Sequence, residues 1–130
     1  KNIMDSLSND PVLGHITTFG GHPVSCAAGL AAMKVLLRQQ LIAKIPAKEA
    51  LFRELLFHPA IKSIRSRGLL MAIEFDSFET NKKVIDRCIE KGVLTDWFLF
   101  AANCMRIAPP LTISKKEIRK ACSIILEQLN

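Results

Sequence analysis

Tyrosine is absent from the 130 residues, and tryptophan occurs once. The remaining aromatics are not interleaved with arginine, so the stacking face of a single-strand nucleic-acid binder is missing. No apolar run is long enough to span a bilayer. Lys1-Asn2-Ile3-Met4-Asp5 has neither the basic nor the apolar block of a secretory leader. Cys26, Cys88, Cys104 and Cys122 form no C-x-x-C pair, and His15, His22 and His58 have no zinc spacing, so no metal site is expected. Cys26, Cys88 and Cys122 fall in expected helices, where a free thiol serves as a small apolar group. That usage fits a reducing compartment, and a cytoplasmic location is expected.

What is present describes a modest domain. About half of the residues are hydrophobic, enough for a real core. The net charge of +6 admits a nucleic-acid partner, but the basic residues are dispersed. Lys82-Lys83 and Lys115-Lys116 are the only adjacent lysine pairs, which reads as a solvated surface. The chain opens on Lys1 rather than Met, as expected of a piece of a longer protein.

Residues 1–10 read as the tail of a helix that Pro11 ends. Pro23 suits the first position of a helix reaching about Arg38, thin along Ala27, Ala28, Gly29, Ala31 and Ala32. A second helix is expected over 40–57, kinked or split by Pro46 near its first turn. The period then turns strand-like over 61–66 and 69–75, joined near Gly68. A helix follows over 79–91 with Gly92 as its left-handed stop. Strands are expected over 93–96 and 104–108, with Trp97, Phe98 and Phe100 between them as core or interface residues. Ser114-Lys115-Lys116-Glu117 is a capping box that starts the last helix. The order predicts a two-layer α/β (α+β) fold, with a short, mostly antiparallel sheet and helices on one face.

The densest chemistry lies in Gly14-His15-Ile16-Thr17-Thr18-Phe19-Gly20-Gly21-His22-Pro23. Two hydroxyls, two glycines and a helix start form either a plain capped turn or an anion site. Arg106 stands in a strand-like segment just before Ala108-Pro109-Pro110. Its planar fork suits either a carboxylate ligand or an ordinary salt bridge.

The Thr17–Pro23 segment resembles the T-[FY]-G-G-N-P signature of class III aminotransferases, which are pyridoxal-phosphate enzymes. Val24–Ala31 resembles the helix that follows it. Arg65-Ser66-Arg67-Gly68-Leu69-Leu70 is similar to the family's V-R-G-x-G-L-L strand, with Ser66 where the pattern has glycine. Met105–Ile113 is similar to its L-R-x-x-P-P-L segment. The landmarks stand in family order and cover nearly all of the chain.

The resemblance implies the small C-terminal domain of a fold-type-I pyridoxal-phosphate enzyme over 23–130, with 1–22 closing the large cofactor domain. It implies that Thr18, with Thr17 beside it, binds the cofactor phosphate of the other subunit of a homodimer. It implies that Arg106 holds the substrate α-carboxylate, the substrates being an amino acid, such as an ornithine-like ω-amino donor, and a 2-oxo acid. It leaves Arg65 and Arg67 without a role, and gives His22 in place of the usual asparagine as a possible helix cap. It places the cofactor-bearing lysine upstream, so the chain alone is expected to carry no catalytic residue and to be inactive. Neither nucleic acid nor membrane is an expected partner. Two alternatives stay open: a free-standing basic α+β binding module, and a same-fold pyridoxal-phosphate aminomutase or decarboxylase.

Overall fold

Pro23 begins the first helix because a first-turn residue needs no N–H partner. This helix, α1, spans Pro23–Arg38. His22 occupies its N-cap position, but its side chain makes no capping hydrogen bond, so the expected histidine cap does not form. The computed structural model describes residues 17–129, and the expected helical tail over 1–10 lies outside them. The chain divides into two compact units, one ending at Gln39 and the other beginning at Gln40.

In the second unit, the helix expected over 40–57 is split near Pro46, one of the two outcomes expected of that proline. A 3-10 turn covers Ile42–Lys44, and α2 spans Ile45–Leu55 with Pro46 in its first turn. The proline is thus a start signal rather than a kink. Strands β1 (Ser63–Arg67) and β2 (Leu70–Glu74) form a hairpin turned at Gly68, whose φ is 62°. Helix α3 (Phe78–Glu90) is capped by Ser77, and Gly92 beyond its end has φ 84°. Helix α4 (Lys115–Glu127) begins on the complete Ser114–Glu117 capping box.

The third strand lies further along the chain than the expected 93–96, and the fourth, which contains most of the expected 104–108, begins three residues earlier. β3 covers Asp96–Phe98 and β4 covers Ala101–Ile107. Trp97 and Phe98 are therefore strand residues, and the connection shrinks to Leu99-Phe100. The sheet is fully antiparallel in the order β1-β2-β4-β3.

Strand alternation sorts the side chains onto two faces. Met71, Ile73, Met105 and Ile107 are buried together with Phe52 of α2, Val84, Ile85 and Cys88 of α3, and Ile118, Cys122 and Ile125 of α4. Each fully buried large side chain in this cluster contributes about 1.5–3 kcal/mol. These three helices cover one face of the sheet, as expected. The alternate strand residues, Arg65, Ala72 and Arg106 among them, point to the other face.

Candidate functional site

Arg106 owes its position to its neighbours. Met105 and Ile107 are buried on the helix side, so strand alternation sends Arg106 to the opposite face. Pro109 and Pro110 then end the strand, because neither can donate to a ladder. The backbone there is pinned twice more: Thr95 donates its hydroxyl to the Arg106 carbonyl at 2.5 Å, and Lys48 Nζ donates to the Leu111 carbonyl at 2.6 Å.

Across the sheet Arg65 pairs with Ala72, Ala72 with Arg106, and Arg106 with Asp96. One rung therefore carries two guanidiniums separated by a methyl group, with a carboxylate at its edge. A hollow of ≈ 450 Å³ opens over this rung, walled by Phe98, Leu99 and Phe100 of the β3–β4 hairpin. The Arg106 guanidinium lies 6.0 Å from the Phe98 ring centroid.

The Arg106 fork is engaged by Asp96. Nε donates to Oδ1 at 2.7 Å, and Nη2 donates to Oδ2. Both residues are about half-exposed. Sequence reasoning missed Asp96, because its pairing depends on a strand register that the pattern placed differently.

Arg65 is turned the other way. Its Nη1 lies 3.6 Å from Glu74 Oε2, and Nη2 donates to Cys104 Sγ at 3.3 Å. Glu74 also accepts from Ser63 Oγ at 2.6 Å. This hydrogen bond is the main cause that holds its carboxyl below the usual carboxylate value; burial opposes it, and the Arg65 charge and then Asn103 add lesser effects in the lowering direction.

Trp97 packs edge-on against Phe78 of α3, with ring centroids 5.7 Å apart, while Phe100 at the hairpin tip is 98% exposed. Trp97 thus braces the hairpin, and Phe100 belongs to no core.

Thr17 and Thr18 lie in the first unit, both exposed, in the turn that leads into α1. The Thr17 carbonyl accepts from the Gly20 N–H at 3.4 Å, and the Phe19 carbonyl from the His22 N–H at 3.1 Å. A Cβ at Gly20 would lie 1.8 Å from Thr17 Oγ1, so only glycine lets that hydroxyl lie over the turn. The helix start behind it has no side-chain cap. Two hydroxyls beside an uncapped helix start suit a phosphate, which takes hydroxyl and amide donors. These residues thus fit a cofactor phosphate as part of its site. Among the described residues no cluster of three or more His, Cys, Asp or Glu gathers as a metal site, and no helix is long and apolar enough to cross a membrane.

The chain matches the family described as Aminotransferase class-III over residues 1–129. It is 32% identical over 121 residues to an acetylornithine aminotransferase of Caldanaerobacter subterraneus subsp. tengcongensis, covering 89% of this chain and 30% of that protein. It is similar to the structure of the ornithine aminotransferase of Toxoplasma gondii, with TM-score 0.78 and 34% identity, over 99% of this chain and 31% of that one. A Bacillus anthracis aminotransferase aligns with TM-score 0.80 and 25% identity, over 99% of this chain and 33% of that one. The chain thus spans about a third of the length of these relatives, and its α/β fold matches part of a fold-type-I aminotransferase.

Proposed function

The chain belongs to the class III aminotransferases, a pyridoxal-phosphate-dependent family, and from that premise we propose that it supplies the acid-binding part of such an enzyme. In this reading residues 23–130 form the small C-terminal domain and 1–22 close the large domain. Arg106 binds the carboxylate shared by an amino-acid donor and a 2-oxo-acid acceptor. An ornithine-like or other ω-amino donor fits the resemblance. The enzyme is a cytoplasmic homodimer, and the chain by itself does not transaminate.

The observation that carries the reading is the placement of Arg106. A guanidinium rises from the face of the sheet opposite α2, α3 and α4 into a hollow, shortly before a Pro-Pro strand exit that fixes its backbone. A planar fork meets a carboxylate with two parallel bonds, which gives orientation as well as affinity. Thr18, assisted by Thr17, donates to the phosphate of the cofactor bound in the other subunit. Pyridoxal phosphate, when bound, supplies the electron sink and the amino-group carrier. This chain's residues hold the substrate's acid group still beside it and anchor the phosphate.

The test is Arg106→Ala in the enzyme to which this chain contributes. A hydrogen bond to a charged group is worth about 1.5–3 kcal/mol, so KM for both the amino acid and the oxo acid should rise about 10–100-fold. A smaller rise shared by uncharged amine substrates would remove the clamp assignment.

A further inference from the structure

We propose that Leu99 and Phe100, at the tip of the β3–β4 hairpin, are specificity-determining residues: an apolar wall for the side chain of the 2-oxo-acid acceptor whose carboxylate Arg106 binds. The inference deepens the reading of Arg106 given above and rests on it.

Exposure carries the first step. Leu99 is 80% exposed and Phe100 98%. Side chains of this kind ordinarily go inside. Their neighbours in the same hairpin are held. Trp97 packs edge-on against Phe78 of α3, Phe98 pairs in register with Ala101, and the Arg106 guanidinium lies over the Phe98 ring. The tip is thus an apolar projection on a braced base.

Placement carries the second. Leu99 and Phe100 line the same ≈ 450 Å³ hollow as Arg106. Its floor is Ala72, the one residue between Arg65 and Arg106 on their rung, and a methyl group leaves the space above it open. A hollow of this size lies in the range of small-molecule sites. The carbons that follow a carboxylate held by Arg106 therefore lie in reach of the tip.

Charge carries the third. Among the described residues no acidic side chain lines the hollow, and its two charged side chains, Arg65 and Arg106, are both cations. A side-chain ammonium would find no partner there and would face like charges. A hydrocarbon chain would meet Phe98, Leu99 and Phe100. The hollow accepts one kind of acid and repels the other, and specificity uses both elements.

The test offers straight-chain 2-oxo acids of three to six carbons as acceptors to the enzyme to which this chain contributes. A fully buried methylene is worth about fourfold in affinity, so along a half-open wall each added methylene should lower KM about two- to fourfold. Phe100→Ala and Leu99→Ala should flatten this dependence and change KM for the three-carbon acid less than about twofold. Phe100→Leu, which keeps an apolar wall, should retain most of it. Arg106→Ala should raise KM for every acid by a similar factor and leave the dependence on chain length in place. A flat series in the unaltered enzyme, or a dependence that survives Phe100→Ala combined with Leu99→Ala, removes the wall and leaves the clamp. If the two variants raise KM equally for all acids, or shift the enzyme to a smaller species on a sizing column, the tip serves assembly and the wall falls. If Arg106→Ala leaves KM unchanged for every acid, the clamp falls and the wall with it.

Discussion

Of the four cysteines, Cys88, Cys104 and Cys122 are buried. Cys88 in α3 and Cys122 in α4 face the core and are buried, whereas Cys26 in α1 is exposed. Burial disfavours the thiolate and pushes the Cys88 thiol up to about 11 and the Cys122 thiol to about 12, from an ordinary 9.0. The folded chain thus keeps two protons that the unfolded chain gives up. Their contribution to stability is complete below pH 9 and declines as pH rises toward 11 and 12. Each thiol adds a slope of up to about 1.4 kcal/mol per pH unit in that window. Urea melts between pH 9 and 10.5 should show a shallower decline for Cys122→Ala than for the unaltered chain. An identical slope would mean that the thiol is not shielded. At pH 8, iodoacetamide should label Cys26 while Cys88 and Cys122 react only in denaturant. Burial of Cys88 and Cys122 was legible from their spacing in amphipathic helices, whereas Cys26, expected to serve in the same way, is exposed. The partner of Arg106 was not legible, because Asp96 is ten residues away and meets it only through hairpin register.

Elements with explicit local chemistry stood where the sequence put them. Ser114 accepts from the Glu117 N–H at 3.2 Å, and Glu117 Oε2 accepts from the Ser114 N–H at 2.7 Å, the reciprocal pair that a capping box requires. The β3–β4 hairpin lacks such signals. Its turn is Leu99-Phe100, without the glycine, asparagine or aspartate that marks a tight connection, and its register shifts between Trp97 and Phe98. Reading those apolar residues as a long segment between strands followed directly. The two glycine turns allow a comparison at this scale. Both have positive φ, 62° at Gly68 and 84° at Gly92, so alanine at either costs about 1–2 kcal/mol of backbone strain. A Cβ at Gly92 meets nothing within 4 Å, whereas one at Gly68 would lie 2.9 Å from Ile45 Cγ2 at the start of α2. Gly68→Ala should therefore lose more stability than Gly92→Ala in parallel urea melts. Equal losses would show that α2 gives way freely at Ile45.

At the scale of the whole molecule, fold and chemistry separate. Helix and strand periods sufficed for the layer order, since each buried face repeats with its element's own period. The family landmarks, however, lie in two units, the threonine turn in one and Arg106 in the other. No local pattern states how such pieces combine into a site. What the chain can do alone follows from its lysines. A lysine that attacks a carbonyl near neutral pH must shed its proton, which takes a desolvated pocket or a neighbouring cation. Among the described residues no lysine is buried. Lys82 instead meets both Asp86 oxygens at 2.6 Å, and Lys48 is committed to the Leu111 carbonyl. Incubating the chain with pyridoxal phosphate, an amino acid and a 2-oxo acid should thus give no exchange of amino groups above a protein-free blank. Borohydride followed by peptide mapping should find pyridoxyl groups scattered over surface lysines in proportion to their exposure. A single lysine trapped at stoichiometric yield, with turnover, would assign the chain a catalytic amine of its own and end its description as an acid-binding part.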